Sequence, residues 1–122
     1  MLQPQEIEVW YLLPAIRREL ARAITDIHGK SQKEAARILD LSEPAISQYK
    51  KSKRAKEVRF TENTMKYIEK AAARIINDNS VLVKEIQDLC TASRKDMTLC
   101  KICRRKIKDL PLGCRICLER EK

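Results

Sequence analysis

Five cysteines are the most chemically reactive side chains of this 122-residue chain, and four of them form two closely spaced pairs. Cys100 and Cys103 form one C-x2-C pair, and Cys114 and Cys117 form a second. Four thiolates satisfy tetrahedral Zn²⁺ at sulfur–metal distances of about 2.3 Å, and four cysteines also ligate [2Fe–2S] or [4Fe–4S] clusters. The spacing is close to that of zinc ribbons. We therefore predict a small four-cysteine metal knuckle, with zinc favoured and an iron–sulfur cluster as the alternative.

Cys90 stands apart from the two pairs and follows Ile86 and Leu89 on an apolar helix face. Such a cysteine is either a small buried hydrophobic residue or a fifth, exchangeable thiolate or redox thiol. The acidic start of the chain, residues 5–8, does not resemble a signal peptide, and no apolar run approaches the roughly 20 residues of a membrane span. We therefore expect a cytoplasmic protein with reduced cysteines and no membrane segment.

The sequence contains no recognisable arrangement of catalytic residues. His28 is the only histidine, and a lone histidine near a predicted helix end cannot build a catalytic triad or a histidine-rich metal site. The carboxylates are spread along helix faces without a clustered pair. With two glycines in the chain, no glycine-rich phosphate loop can be written. The sequence therefore predicts a protein that is not an enzyme.

The positive charge is concentrated in two blocks. The chain has 26 Lys and Arg against 17 Asp and Glu, a formal charge of +9: residues 30–59 carry +5 and residues 94–122 carry +6, whereas residues 1–29 and 60–93 carry −1 each. The segments between these blocks are nearly neutral. Charge of this density indicates a polyanionic partner.

Apolar residues recur at steps of three and four along most of the chain, which predicts an all-α protein. The first helix is expected to be interrupted by Pro14, with its main part near 15–27, and to end at His28 and Gly29. Two short helices follow at 32–39 and 42–51, then a basic loop over residues 50–60. Thr61 is expected to cap the next helix, and Ser80 a later one with Leu82, Val83, Ile86 and Leu89 on its apolar face. We predict three parts: a DNA-binding domain (1–59), a helical dimerisation or linker segment (60–95) and a cysteine-rich metal-binding tail (96–122).

Residues 32–51 carry the most specific pattern, that of a helix-turn-helix. Ser31 and Ser42 are placed to cap its two helices, and Asp40 occupies the turn, where a left-handed backbone is needed. A miniature core is predicted from Ala35, Leu39, Leu41, Ile46 and Tyr49.

The second helix of this motif would enter the major groove of DNA. Its predicted outward residues are Glu43, Pro44, Ala45, Ser47, Gln48 and Lys51. Gln48 can pair with adenine through two hydrogen bonds, and Ala45 can contact a thymine methyl group. Residues at helix ends and in the exit loop are suited to phosphate contacts, namely Gln32, Ser42, Lys50, Lys53 and Arg54.

Residues 31–36 and 44–49 resemble the helix-turn-helix of Cro/repressor-type (XRE-like) transcription regulators. Residues 6–21 are further similar to the start of an archaeal family of such regulators. Its members pair this domain with a short cysteine-containing tail, and some are fused to a thiamin-phosphate-synthase-like domain. The chain departs from the family at Gln5, where the family has a cysteine after the leading proline. The resemblance implies sequence-specific binding to double-stranded DNA.

One recognition helix reads only a few base pairs, so we predict a homodimer that reads two half-sites about one helical turn apart. The apolar faces of residues 65–76 and 82–89, with Trp10, are expected to form the dimer interface or to close each subunit's own core. The alternative function is a zinc-stapled protein–protein adaptor or antitoxin-like protein that uses the helix-turn-helix only as a scaffold.

Overall fold

The computed structural model describes residues 3–107, and the prediction of an all-α protein is confirmed for that range, which contains helices and no β-strand. Its α-helices are α1 Pro4–Ile7, α2 Leu13–Arg22, α3 Gln32–Ile38, α4 Glu43–Lys51, α5 Lys53–Lys56, α6 Glu62–Asn77, α7 Leu82–Lys95 and α8 Thr98–Lys106. Two π-helical turns, Glu8–Leu12 and Ala23–Ile27, flank α2, and a 3-10 turn, Asn79–Val81, precedes α7. None of the helices in this range has the length and apolar character required to cross a membrane.

Pro14 changes the type of helix without interrupting it. The chain is helical from Pro4 to Ile27, and the predicted break is replaced by the π turn Glu8–Leu12, in which the Leu13 N–H donates to the Glu8 carbonyl. A proline within a regular α-helix clashes with the carbonyl four residues earlier, and the wider π turn relieves that clash. The predicted stop after this segment is confirmed, because Gly29 has a φ of 68°.

Helices α3 and α4 begin and end where the local sequence signals place them. The Ser31 hydroxyl accepts a hydrogen bond from the Glu34 N–H at 3.1 Å, and the Ser42 hydroxyl accepts one from the Ala45 N–H at the same distance. Asp40 adopts the left-handed conformation, with a φ of 55°. Both predicted caps and the predicted turn are therefore confirmed.

The segment after α4 is more ordered than a basic loop. Ser52 caps the short helix α5 by accepting a hydrogen bond from the Ala55 N–H at 3.2 Å. Ala55 and Val58 are buried in the core. The predicted loop is wrong for residues 53–56, which form a helical turn because Ala55 and Val58 pack against the core, whereas residues 58–60 are not helical, as expected.

The start of α7 also differs from the prediction. Asp78, and not Ser80, caps this region, since its carboxylate accepts a hydrogen bond from the Ser80 N–H at 3.0 Å. Val83 was expected on the apolar face but is 72% exposed. The buried face of α7 includes Glu85, and two residues correspond to about 200° of helix rotation, so Val83 lies on the opposite side.

A single cluster of buried apolar side chains includes residues of all eight helices. α2 is central and packs against α3, α4, α5, α6 and α7. Leu99 and Ile102 of α8 belong to the same cluster, and α8 packs against α1 and α7. The beginning of the cysteine-rich tail therefore shares the core that stabilises α4.

Asp96, at the end of α7, connects three helices. Its carboxylate accepts hydrogen bonds from the hydroxyls of Thr61 (3.0 Å) and Thr64 (2.7 Å) and from the backbone N–H of Thr98 (2.9 Å). Burial raises the pKa of Asp96, but hydrogen bonds from Thr98, Thr64 and Thr61 outweigh that effect and lower the pKa below its ordinary value. The ionised carboxylate thus stabilises the junction of α6, α7 and α8.

This junction predicts a pH-dependent stability. A carboxyl group whose pKa is lowered in the folded state stabilises the fold fully at pH values above its unfolded pKa, about 3.9. This contribution is lost as the pH falls through the pKa of the folded state. We expect Asp96→Asn to reduce the free energy of unfolding by about 1 kcal/mol at pH 7. Urea unfolding should show this difference shrinking below about pH 4. Asp26→Asn, at an exposed position, is the control, and a difference for Asp96→Asn that stays constant from pH 7 to pH 3 would contradict the assignment.

Candidate nucleic-acid interface

Helix α4 has one buried side and one exposed side. Ile46 is fully buried, and α4 packs on α2 and α3. Of the residues predicted to face outward, Glu43, Pro44, Gln48 and Lys51 are exposed, and Ala45 and Ser47 are partly exposed. The same helix therefore contacts the core through one face and presents polar, charged and small apolar side chains on the other.

A hydrogen bond between α3 and α4 orients the exposed side of α4. The Gln32 side-chain amide donates to the Ser47 hydroxyl at 2.8 Å, and it also lies 3.5 Å from the Glu43 carbonyl. Sequence reasoning assigned Gln32 and Ser47 separate contacts with DNA, and the structure brings the two side chains together. The Ser47 hydroxyl accepts this bond, so its own hydrogen can be donated elsewhere.

Arg17 of α2 fixes the other end of α4. Its guanidinium donates to the Tyr49 hydroxyl at 3.3 Å and lies 5.8 Å from the centre of the Tyr49 ring. Tyr49 is partly buried, which agrees with its predicted place in the small core between the helices. Together with the burial of Ile46, these contacts fix the orientation of α4 relative to α2.

The cations in the last turn of α4 and in α5 lie at the surface. Lys51, Lys53 and Arg54 are exposed and Lys50 is partly exposed. The Arg54 guanidinium lies 5.5 Å from the centre of the Trp10 ring and 5.9 Å from that of Tyr11. Trp10 is 40% exposed and is therefore not a core residue. Stacking on these rings restricts Arg54 while leaving it accessible.

Two basic regions that are far apart in the sequence are neighbours in the fold. From α8, Arg105 donates to the Glu57 carbonyl at 2.8 Å, and Lys106 forms an ion pair with the Glu57 carboxylate at 3.0 Å. The Lys106 ammonium also lies 5.3 Å from the centre of the Tyr11 ring. Sequence reasoning missed this contact. Its one local signal is Glu57, the single acidic residue between 44 and 61.

The first cysteine pair of the predicted knuckle lies within a helix. Cys100 and Cys103 belong to α8, where Cys100 is partly exposed and Cys103 is buried. The helix forms because Leu99 and Ile102 are both buried against the core. Cys114 and Cys117 lie outside the described residues. Within residues 3–107, no three His, Cys, Asp or Glu side chains are grouped closely enough to hold a metal ion.

Cys90 is buried on α7. Burial and the nearby Glu8 carboxylate raise the pKa of its thiol to about 11, although Arg94 and Arg17 oppose the shift. A thiol in this state is a poor nucleophile because the thiolate is the reactive form. The position therefore favours the interpretation of Cys90 as a small buried hydrophobic residue.

This interpretation predicts slow alkylation of the native protein. At pH 8, we expect iodoacetamide to modify Cys90 about 100-fold more slowly in the folded protein than in urea, because folding removes most of the thiolate. Peptide mass spectrometry gives both rates for the same residue. An exchangeable or redox-active Cys90 would instead react at similar rates in both states.

Comparison with known protein families, characterised proteins and solved structures gives no match to this chain. Residues 3–107 form an all-helical fold in which the exposed side of α4 is followed directly by the surface cations of α5. Its function is therefore inferred from these residues themselves.

Proposed function

We propose that the protein is a sequence-specific DNA-binding transcription regulator, not an enzyme, in which α3 and α4 form a helix-turn-helix and α4 is the recognition helix. The observation that carries this proposal is the exposure of Gln48 on α4. The orientation of this helix is fixed by the buried Ile46 and by the hydrogen bond between Gln32 and Ser47. A helix held in this way can present the same side chains to successive base pairs.

The residues of α4 and of the segment after it are suited to two kinds of DNA contact, with bases and with phosphates. Gln48 can form two hydrogen bonds with adenine, and the Ala45 methyl group suits a thymine methyl. Lys50, Lys53 and Arg54 are suited to phosphate oxygens, which determine how the protein sits on the duplex but carry no base information.

We propose a homodimer in the cytoplasm. One α4 contacts too few base pairs for the specificity of a regulator, whereas two copies read half-sites about one helical turn apart. The exposed Val9 and Val83 are apolar side chains at the surface of the single chain. Their exposure is compatible with an interface between copies.

We further propose that Cys100, Cys103, Cys114 and Cys117 bind zinc, with an iron–sulfur cluster as the alternative cofactor. Residues three apart on a helix lie on one side of it, so α8 offers two thiols to a common ligand. Four thiolates would neutralise part of the positive charge of the tail. Metal content and the absorption spectrum after purification without oxygen decide the cofactor: a colourless protein with one zinc per chain supports zinc, and a brown protein absorbing near 400 nm (roughly) supports the cluster.

Binding to DNA from upstream of the protein's own gene tests the function. In about 150 mM salt, we expect at least about 10³-fold tighter binding to the regulated duplex than to a shuffled duplex of the same composition. Fluorescence anisotropy with labelled duplexes measures both affinities. An adaptor that keeps the helix-turn-helix only as a scaffold would show no preference between the two duplexes.

A further inference from the structure

We infer that α8 provides a second contact with the DNA backbone, through the exposed side chains of Lys101 and Arg104 together with Arg59. This inference rests on the proposed function, because it concerns the same DNA duplex. It adds a segment of the cysteine-rich tail to an interface that the helix-turn-helix alone would not include.

Tyr11 places Lys106, the last residue of α8, beside Arg54 of α5. The Arg54 guanidinium and the Lys106 ammonium lie 5.9 Å and 5.3 Å from the centre of its ring. The distance between the Arg54 guanidinium and the Lys106 ammonium therefore cannot exceed the sum of these two distances. Because each strand of a duplex presents a phosphate about every 3.4 Å along the axis, groups this close can contact the backbone of one short stretch of DNA.

Glu57 fixes α8 in this place. Its carbonyl accepts a hydrogen bond from Arg105, and its carboxylate pairs with Lys106. These contacts join the turn after α5 to the last turn of α8. Two cations of α8 thus attach the helix to the protein, and the remaining two are available to a partner.

Lys101, Arg104 and Arg59 are exposed, and within residues 3–107 none of them forms an ion pair with a carboxylate. Arg59 and Lys101 line a single recess of about 140 Å³ together with Arg105 and Glu57. Arg59 and Lys101 share this recess with no carboxylate ion-pair partner among residues 3–107, so their like charges repel one another, and an anionic partner relieves that repulsion. The duplex bound by α4 is the nearest polyanion that the proposed function supplies.

The test is the salt dependence of DNA binding by the full chain with Lys101→Gln and Arg104→Gln combined. Loss of two phosphate contacts should reduce the slope of log affinity against log salt by about 2. The loss of affinity between 50 and 200 mM salt should then be about tenfold smaller than in the wild type. Weakening should be equal on specific and shuffled duplexes, because phosphates carry no sequence information.

A matched control and a second variant keep the test decisive. Lys66→Gln with Lys70→Gln removes the same charge from exposed positions on α6, and its slope should stay close to that of the wild type. Arg59→Gln alone should reduce the slope by about 1. If the wild type binds its DNA specifically but the α8 variant keeps the wild-type slope, the α8 contact is refuted and the proposed function survives. If the wild type shows no preference for any duplex, the proposed function is refuted, and if it binds no duplex at all, both are refuted.

Discussion

Ile46→Ala is expected to lower the free energy of unfolding by about 2–5 kcal/mol, because it removes a fully buried side chain from the contact between α4 and α2. The neighbouring side chains belong to rigid helices and cannot fill the space completely, so a cavity remains. The variant should also bind DNA less tightly, since α4 loses the residue that fixes its position on the core.

Ile27→Ala is the matched control, because it shortens the same side chain at a position that is 59% exposed. Surface changes of this kind alter stability by about 0.5 kcal/mol or less. Urea unfolding followed by circular dichroism measures both variants. Equal losses in the two would show that Ile46 is not the core anchor of α4.

Gln48→Ala is expected to weaken binding to the specific duplex by about 1–3 kcal/mol, which corresponds to roughly 5- to 150-fold. The side chain is exposed on α4, so its removal should leave the stability of the free protein nearly unchanged. Binding to a shuffled duplex should also be unchanged, because an uncharged side chain adds little to the electrostatic attraction that produces non-specific affinity.

Gln87→Ala provides the control, since Gln87 is an exposed glutamine on α7. It should bind both duplexes as the wild type does. Anisotropy titrations with the two variants and two duplexes complete the comparison. If Gln48→Ala reduces the affinity for specific and shuffled DNA by the same factor, Gln48 does not read bases.

Local signals in the sequence predict much of this fold. Ser31, Ser42 and Thr61 each cap the helix that was expected after them. The left-handed turn at Asp40 was predicted as well. These features depend on residues three or four positions apart, so a single sequence contains the information.

Contacts between distant segments could not be predicted in the same way. The proximity of Arg54 and Lys106 to the ring of Tyr11 depends on how α5 and α8 pack around the first helical segment. The burial of Leu99 and Ile102 likewise depends on a core built by other helices. The charge blocks at 30–59 and 94–122 were visible as separate regions, and only the tertiary structure shows parts of them side by side.

Footprinting of the protein on the DNA upstream of its own gene tests the central claim most directly. The proposal predicts a protected region that contains two related half-sites about one helical turn apart. The protection should persist in the presence of excess shuffled DNA and should be lost first in the Gln48→Ala variant. Uniform protection that shuffled DNA removes, with no difference between the wild type and Gln48→Ala, would contradict a sequence-specific regulator.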